Sequence, residues 1–265
     1  MKAVVIGGSG LIGENLVHIL RRDGHSVVKG SPSHGVDAVT GAGLDEALSG
    51  ADVVVDVSNS PSLEEAAAVR FFEASGRRLT AAAKAAGVRH HIVLSIVGTE
   101  RLQSCGYFRG KAIQEELVRS SGTPFSILRS TQFFEWIAGV VQTGGDENVV
   151  LPPVLVQPMS AACVAGALAT LATGGPLNQT IEVAGPQRFN LPDIAREVLT
   201  AYEDPREVVA DPHARYFGAE LSERSLLPGS EARHGELRFE DWLRDSLRGL
   251  PEGCEPDTAG RSAAP

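Results

Sequence analysis

Apolar residues in the first half of the chain fall into short runs separated by longer stretches with helical spacing. Residues 2–6, Lys-Ala-Val-Val-Ile, are β-branched enough to read as a buried strand. Gly7-Gly8-Ser9-Gly10 breaks the run, and residues 11–22 carry a helical pattern that Asp23-Gly24 ends. Residues 25–29 read as a second strand, 36–39 as a weak third, and 44–48 as a short helix closed by Gly50-Ala51. Asp52-Val53-Val54-Val55-Asp56-Val57 is almost continuously apolar, as a strand buried on both faces must be. Residues 63–86 predict an alanine-rich helix ended by Gly87, and residues 91–94 a fifth strand. His90 and His91 precede that strand, away from the expected ligand end, and read as structural polar residues. Four strand–helix alternations before residue 120 predict an α/β fold with a doubly wound parallel sheet. Right-handed crossovers leave that sheet little topological choice.

The second half is less regular. Residues 124–129 predict a sixth strand, and Gln132, Phe133, Phe134 and Trp136 follow it at the expected pocket mouth. Gln132, Phe133 and Trp136 are candidate substrate contacts, with packing between lobes the competing role. Residues 144–148 read as a loop, 160–172 as a small-residue helix and 180–184 as a strand. Residues 192–202 read as a helix with Asn190 as its cap, and 239–247 as a last amphipathic helix. Residues 251–265 read as a frayed tail.

Composition narrows the class. An apolar content of 43% and a charged content of 22% are ordinary for a globular chain. A net charge of −9 argues against a nucleic-acid partner. No run is long enough for a membrane span, and no signal segment is expected before the first strand. Three cysteines, Cys105, Cys163 and Cys254, are odd in number and far apart. They predict reduced thiols with neither a disulfide frame nor a metal site, and hence a cytoplasmic protein.

The first chemistry lies in the glycine turn. Gly8-x-Gly10-x-x-Gly13 and Gly7-x-x-Gly10-x-x-Gly13 are satisfied together, after a strand and before a helix. That context predicts a dinucleotide site in which the backbone approaches a pyrophosphate and the helix N-terminus faces it. Gly7, Ser9, Gly10, Leu11, Ile12 and Gly13 are the candidate contacts, with Ser58 and Asn59 at the end of the fourth predicted strand. An NAD site usually places an acid about 20 residues beyond the glycines to bond the ribose 2′-hydroxyl. Here Lys29-Gly30-Ser31-Pro32-Ser33-His34 has none, and Asp37 lies past the loop. Lys29, Ser31 and Ser33 offer a cation and two hydroxyls to a 2′-phosphate, which favours NADP over NAD.

The second chemistry is Tyr107-Phe108-Arg109-Gly110-Lys111. Tyr107 and Lys111 share one helix face if the segment is helical. The lysine charge one turn away is expected to lower the phenol pKa and so suit it to proton exchange with a carbonyl oxygen. Ser95, at a strand end twelve residues earlier, is placed to bond the same oxygen.

These motifs resemble the short-chain dehydrogenase/reductase superfamily, in its atypical NmrA-like, NAD(P)H-binding branch. The resemblance runs through Gly7-Gly8-Ser9-Gly10-Leu11-Ile12-Gly13, residues 52–57, 94–98 and Gly106-Tyr107-Phe108-Arg109-Gly110-Lys111. It continues through residues 127–134, 181–186 and 239–243, and so covers nearly the whole chain. It implies a Rossmann domain with a small C-terminal substrate lobe, and serine, tyrosine and lysine in the roles above. It also implies that Lys111 bonds the nicotinamide ribose. Pro32 stands where the branch often carries arginine, and Ala162-Cys163 where it carries acids, leaving Ser160 to cap that helix. Some members of the branch bind cofactor without turning over substrate, and fold alone does not settle activity.

The reading is then an NAD(P)-binding domain over residues 1–134, a substrate lobe over 135–250 with elements returning to the sheet, and the tail. Its expected activity is NADP-dependent reduction of a carbonyl in a small molecule, with Ser95, Tyr107 and Lys111 catalytic. The alternatives are an NAD(P)-sensing regulator, or an epimerase or double-bond reductase on the same scaffold. No membrane or nucleic acid is an expected partner, and the protein is expected to be a monomer or homodimer.

Overall fold

The computed structural model describes residues 1–143 and 148–249. In chain order the elements are β1 (Lys2–Ile6), α1 (Leu11–Arg22), β2 (Ser26–Gly30), α2 (Leu44–Leu48), β3 (Val53–Asp56), α3 (Glu65–Ala85), β4 (His90–Ile96), α4 (Gly106–Ser120) and β5 (Phe125–Ser130). There follow α5 (Phe134–Thr143), β6 (Val149–Leu151), β7 (Leu155–Val156), α6 (Ala161–Thr173), β8 (Thr180–Ala184), β9 (Phe189–Asn190), α7 (Leu191–Ala201), β10 (Val208–Ala210), β11 (Arg233–His234) and α8 (Phe239–Leu247). The tail over 251–265, and the loop over 144–148 apart from Asn148, lie outside the described residues.

Seven parallel strands form one sheet in the order β11-β8-β5-β4-β3-β1-β2. β1 has β2 on one side and β3 on the other, and Ile6 pairs with both Gly30 and Asp56. The chain winds outward in both directions from β1, which opens a crevice above those three strand ends. Strand alternation feeds two cores. Ala3, Val5, Val53 and Val55 meet α1 and α6 on one face, through Leu16, Leu20 and Leu168. Val4, Ile6 and Val54 meet α2 and α3 on the other, through Leu44, Leu48 and Leu79. A further core joins α5, α7 and α8 to Phe72 of α3 and Tyr107 and Phe108 of α4. The C-terminal half reaches the helix that carries Tyr107 through Tyr216, which packs on Phe108, and Phe217, which packs on Tyr107.

The weak third strand over residues 36–39 does not form. Val36 and Ala38 are buried as their spacing predicts, but the Asp37 carboxylate accepts the backbone N–H of Val39 at 2.8 Å and of Thr40 at 3.3 Å. Gly41 and Gly43 then take positive φ, so the segment turns where a strand would extend. Ser160 does cap α6, its hydroxyl accepting the Cys163 N–H at 3.1 Å, whereas the Asn190 side chain makes no cap bond to α7. Cys105 is a buried thiol, and Cys254 lies outside the described residues.

His90 and His91 are the first residues of β4, not a lead-in to it, and both are buried. His90 Nε2 meets Ser126 Oγ at 2.8 Å, while neither ring nitrogen of His91 has a partner. Burial brings both imidazoles down to about 4. The unfolded chain then binds more protons than the folded one between about pH 4 and 6.5, so stability is full above that window and falls as pH drops through it. Thermal melts across these pH values should show that loss, and His91→Leu, which removes one buried base, should flatten it. An unchanged slope in the variant would remove His91 from the account.

Candidate active site

A cleft of about 700 Å³ crosses the carboxyl ends of the central strands. Its floor at one end is the glycine turn. Gly7 has φ 81°, and a Cβ there would lie 2.7 Å from the Ser58 nitrogen. A Cβ on Gly13 would lie 2.2 Å from the Gly7 oxygen, so α1 sits directly on the turn. Gly10 differs: its φ is −85°, and the nearest atom to a Cβ would be the Gly7 oxygen at 3.4 Å. Packing does not require glycine there, and a Cβ would point into open space. Gly10 caps α1 without any side-chain bond, so the first-turn N–H groups and the helix dipole face the cleft. Ser9, Leu11 and Ile12 complete a wall that fits a pyrophosphate.

Beyond β2, Ser31 lines the cleft, with its hydroxyl 2.9 Å from Ser33 Oγ and 2.8 Å from His34 Nδ1. Lys29 and Ser33 are not in the wall. The Lys29 stem packs over Gly8, and its ammonium pairs with Glu14 of α1. Asp37 is in the wall, with its carboxylate engaged by its own turn.

The exit of β3 organises the end of the cleft that holds Tyr107. Buried Asp56 accepts the Ser58 N–H at 2.9 Å and its hydroxyl at 2.6 Å on one oxygen, and the Gln114 amide at 2.7 Å on the other. Asn59 Oδ1 accepts the Ser60 N–H at 3.0 Å and the Tyr107 hydroxyl at 2.8 Å. Lys111 Nζ donates to the Leu94 carbonyl at 2.9 Å and Gln114 Oε1 at 3.0 Å, and lies 4.5 Å from the centre of the Phe72 ring. Tyr107 and Lys111 are thus one helical turn apart on α4 and tied, through Asn59 and Gln114, to one loop. Burial pushes the Tyr107 phenol up to about 12. Burial also brings Lys111 down to about 8, against the pull of Asp56 and Glu115. The expectation that Lys111 lowers the phenol is therefore corrected: dehydration governs both groups, and each is bonded to something other than its neighbour.

Ser95 lines the cleft, but its hydroxyl donates to Glu115 Oε1 at 2.6 Å. Burial raises the Glu115 carboxyl, yet Arg129, Ser95 and Arg119 together outweigh it and hold the group below the ordinary glutamate value. Ser95 therefore faces an occupied partner, and its neighbour Ile96 presents carbon to the cleft.

Gln132, Phe133 and Trp136 line the far end. They are joined there by Phe71 and by Tyr216-Phe217, a pair with no periodic signal in the sequence. The Trp136 ring lies 5.3 Å from Tyr216 and 5.7 Å from Phe217, and Phe217 lies 5.3 Å from Tyr107. Asp56 and Gln114 were not identifiable as site residues from sequence. The one available sign was an acid ending an otherwise apolar strand.

A seven-stranded parallel sheet, a glycine cradle and a Tyr–Lys pair over the strand ends define a dinucleotide-binding α/β protein. The model of the NAD(P)H-binding family matches residues 7–173, and the chain belongs to that family. It is 31% identical over 210 residues to the (4-alkanoyl-5-oxo-2,5-dihydrofuran-3-yl)methyl phosphate reductase of Streptomyces griseus, covering 69% of this chain and 68% of that one. Among solved structures it is similar to the NAD complex of Thermus thermophilus UDP-glucose 4-epimerase, with TM-score 0.71 and 19% identity, covering 94% of this chain and 99% of that one. It is also similar to the NADP complex of Bacillus anthracis dTDP-4-dehydrorhamnose reductase, with TM-score 0.66 and 11% identity over 95% of this chain and 94% of that one. Among the described residues no helix is long and apolar enough to cross a membrane.

Proposed function

We propose that this protein is an NADPH-dependent reductase of a carbonyl-bearing small molecule. The observation that carries this reading is the single cleft that joins the glycine cradle to the Tyr107 hydroxyl. The cofactor would lie along Gly7, Gly10, Gly13, Ser58 and Asn59, and would supply a hydride. The chain's part is to bind, orient and protonate. With its phenol up at about 12, Tyr107 is protonated at neutral pH and can donate to an oxygen that gains charge. The substrate oxygen takes the place of Asn59 Oδ1 as its acceptor. Lys111 is charged below about pH 8 and places that charge one turn behind the phenol.

The same geometry supports a second reading, hydride delivery to a conjugated double bond with Tyr107 bonding the enolate oxygen. Ser95 favours it, because the hydroxyl that would fix a simple carbonyl is given to Glu115. The S. griseus relative also favours it, since it is named for an unsaturated lactone. Ketones and enones offered with NADPH, with products identified by NMR, separate the two. An alcohol supports the first reading and a saturated ketone the second; no oxidation of NADPH across both sets contradicts both.

For the cofactor, the Ser31–Ser33–His34 cluster supports a 2′-phosphate, and the Asp37 carboxylate is turned to the Val39 and Thr40 amides instead of to a ribose diol. NADPH should bind more tightly than NADH. Calorimetric titrations giving equal or reversed affinities would overturn this choice.

A further inference from the structure

The cleft beyond Tyr107 holds polar groups that the chain does not satisfy. Gln132 is 4% exposed, and neither its amide nitrogen nor its amide oxygen makes a hydrogen bond. The Tyr216 hydroxyl is near enough to feel that amide, but no bond of good geometry joins them. The Ser130 hydroxyl, on the same wall, is also buried and unbonded. Buried polar groups are almost always paired, so these mark the place of a ligand's polar atoms.

The surroundings define the rest of that ligand. Trp136, Phe217 and Tyr107 present ring faces and edges, which favour a flat conjugated body. Among the described residues the charged groups lining the cleft are Asp37, Lys111 and Glu135. Lys111, the one cation of the three, is committed to Leu94 and Gln114. An anionic group at this end would be stripped of water and placed without a free cation.

We infer that the substrate is an uncharged, planar, conjugated carbonyl compound that carries a second oxygen function, carbonyl or hydroxyl, for the Gln132 amide. This rests on the reductase reading for the first carbonyl, which meets Tyr107. It departs from the S. griseus relative in one respect: that protein is named for a phosphate ester, and this site does not provide for the phosphate. In the reaction itself the cofactor would supply a hydride to a substrate carbon, the substrate's double-bond electron pair would move toward oxygen, and Tyr107 would supply the proton.

The test is calorimetric binding to the full chain saturated with NADP⁺, which prevents turnover. The probes are (4-hexanoyl-5-oxo-2,5-dihydrofuran-3-yl)methanol and its phosphate ester, identical but for the charged group. The alcohol should bind at least about tenfold more tightly than the ester. Gln132→Leu should weaken alcohol binding on the order of tenfold and Ser130→Ala severalfold, with NADP⁺ affinity unchanged. Because the Gln132 amide is unbonded, the leucine variant should melt no lower than the parent; a merely structural glutamine would give a fall. Equal or tighter binding of the ester, no binding of either probe, or indifference to both substitutions would overturn the inference. NADPH oxidation is followed separately. The predicted binding without oxidation of NADPH would contradict the reductase reading and leave the subsite supported.

Discussion

Gly10→Val abolishes dinucleotide binding and leaves the protein folded. The backbone at Gly10 is extended, with φ −85° and ψ 173°, which suits a β-branched residue. A side chain there meets no protein atom closer than 3.4 Å at its first carbon, so the fold has no objection to it. The space it fills is the space in front of the α1 N–H groups. Loss of those contacts should weaken NADPH binding by at least about 100-fold, seen by calorimetry, with the melting temperature within a few degrees of the parent. Gly13→Val is the contrasting case. Its Cβ would lie 2.2 Å from the Gly7 oxygen and 2.6 Å from the Gly8 Cα, so this variant should lose the fold itself. If Gly10→Val binds NADPH normally, the pyrophosphate does not lie on this turn.

Tyr107→Phe should lower kcat/KM by a factor on the order of 10²–10⁴ with little change in cofactor affinity. The ring packing with Phe72 and Phe217 is retained, and only the bond to Asn59 is lost from the ligand-free protein. Asn59 keeps the Ser60 N–H as a donor to its oxygen, so the loop should hold. Lys111→Met should act differently. It leaves Leu94 and Gln114 short of a donor and removes the charge near the phenol, so turnover and NADPH affinity should both fall. The ammonium is charged below about pH 8 and is lost as pH rises through that value, which predicts an alkaline limb in kcat/KM there. The methionine variant should lack that limb. Full activity in Tyr107→Phe would show that the proton comes from elsewhere.

How much of this was legible beforehand depended on whether local pattern or tertiary contact decided the outcome. The β1 run, the glycine turn and α1 form one contiguous unit whose spacing alone dictates a tight turn under a helix, so the cradle could be read directly. β3, a run of three valines and an aspartate, was legible for the same reason: all four residues are buried. The segment at 36–39 misled because Val36 and Ala38 are buried without any ladder, and a short-range Asp37 turn won over an extended strand. The Tyr107–Lys111 pair was visible as spacing, but its electrostatics were not. Whether lysine lowers a tyrosine depends on what else each touches, and Asn59, Gln114 and Leu94 come from other elements. Ser95 shows the same limit. Its position at a strand end was readable, while its commitment to Glu115, twenty residues on, was not. The aromatic wall formed by Tyr216 and Phe217 could not be foreseen at all. Those residues sit outside any helix or strand, and Phe217 takes the unusual φ of 50° that turns the chain there.

The central claim is that a nicotinamide bound on this turn delivers hydride to a substrate held against Tyr107. Its most direct measurement is label transfer, using NADPH deuterated at the nicotinamide C4 in each of its two stereochemical forms, with the best substrate found. Deuterium should appear on carbon in the product from one form and not the other, and that transfer should be lost in Tyr107→Phe while NADPH still binds. Binding of NADPH with no label reaching any conjugated carbonyl compound would contradict it.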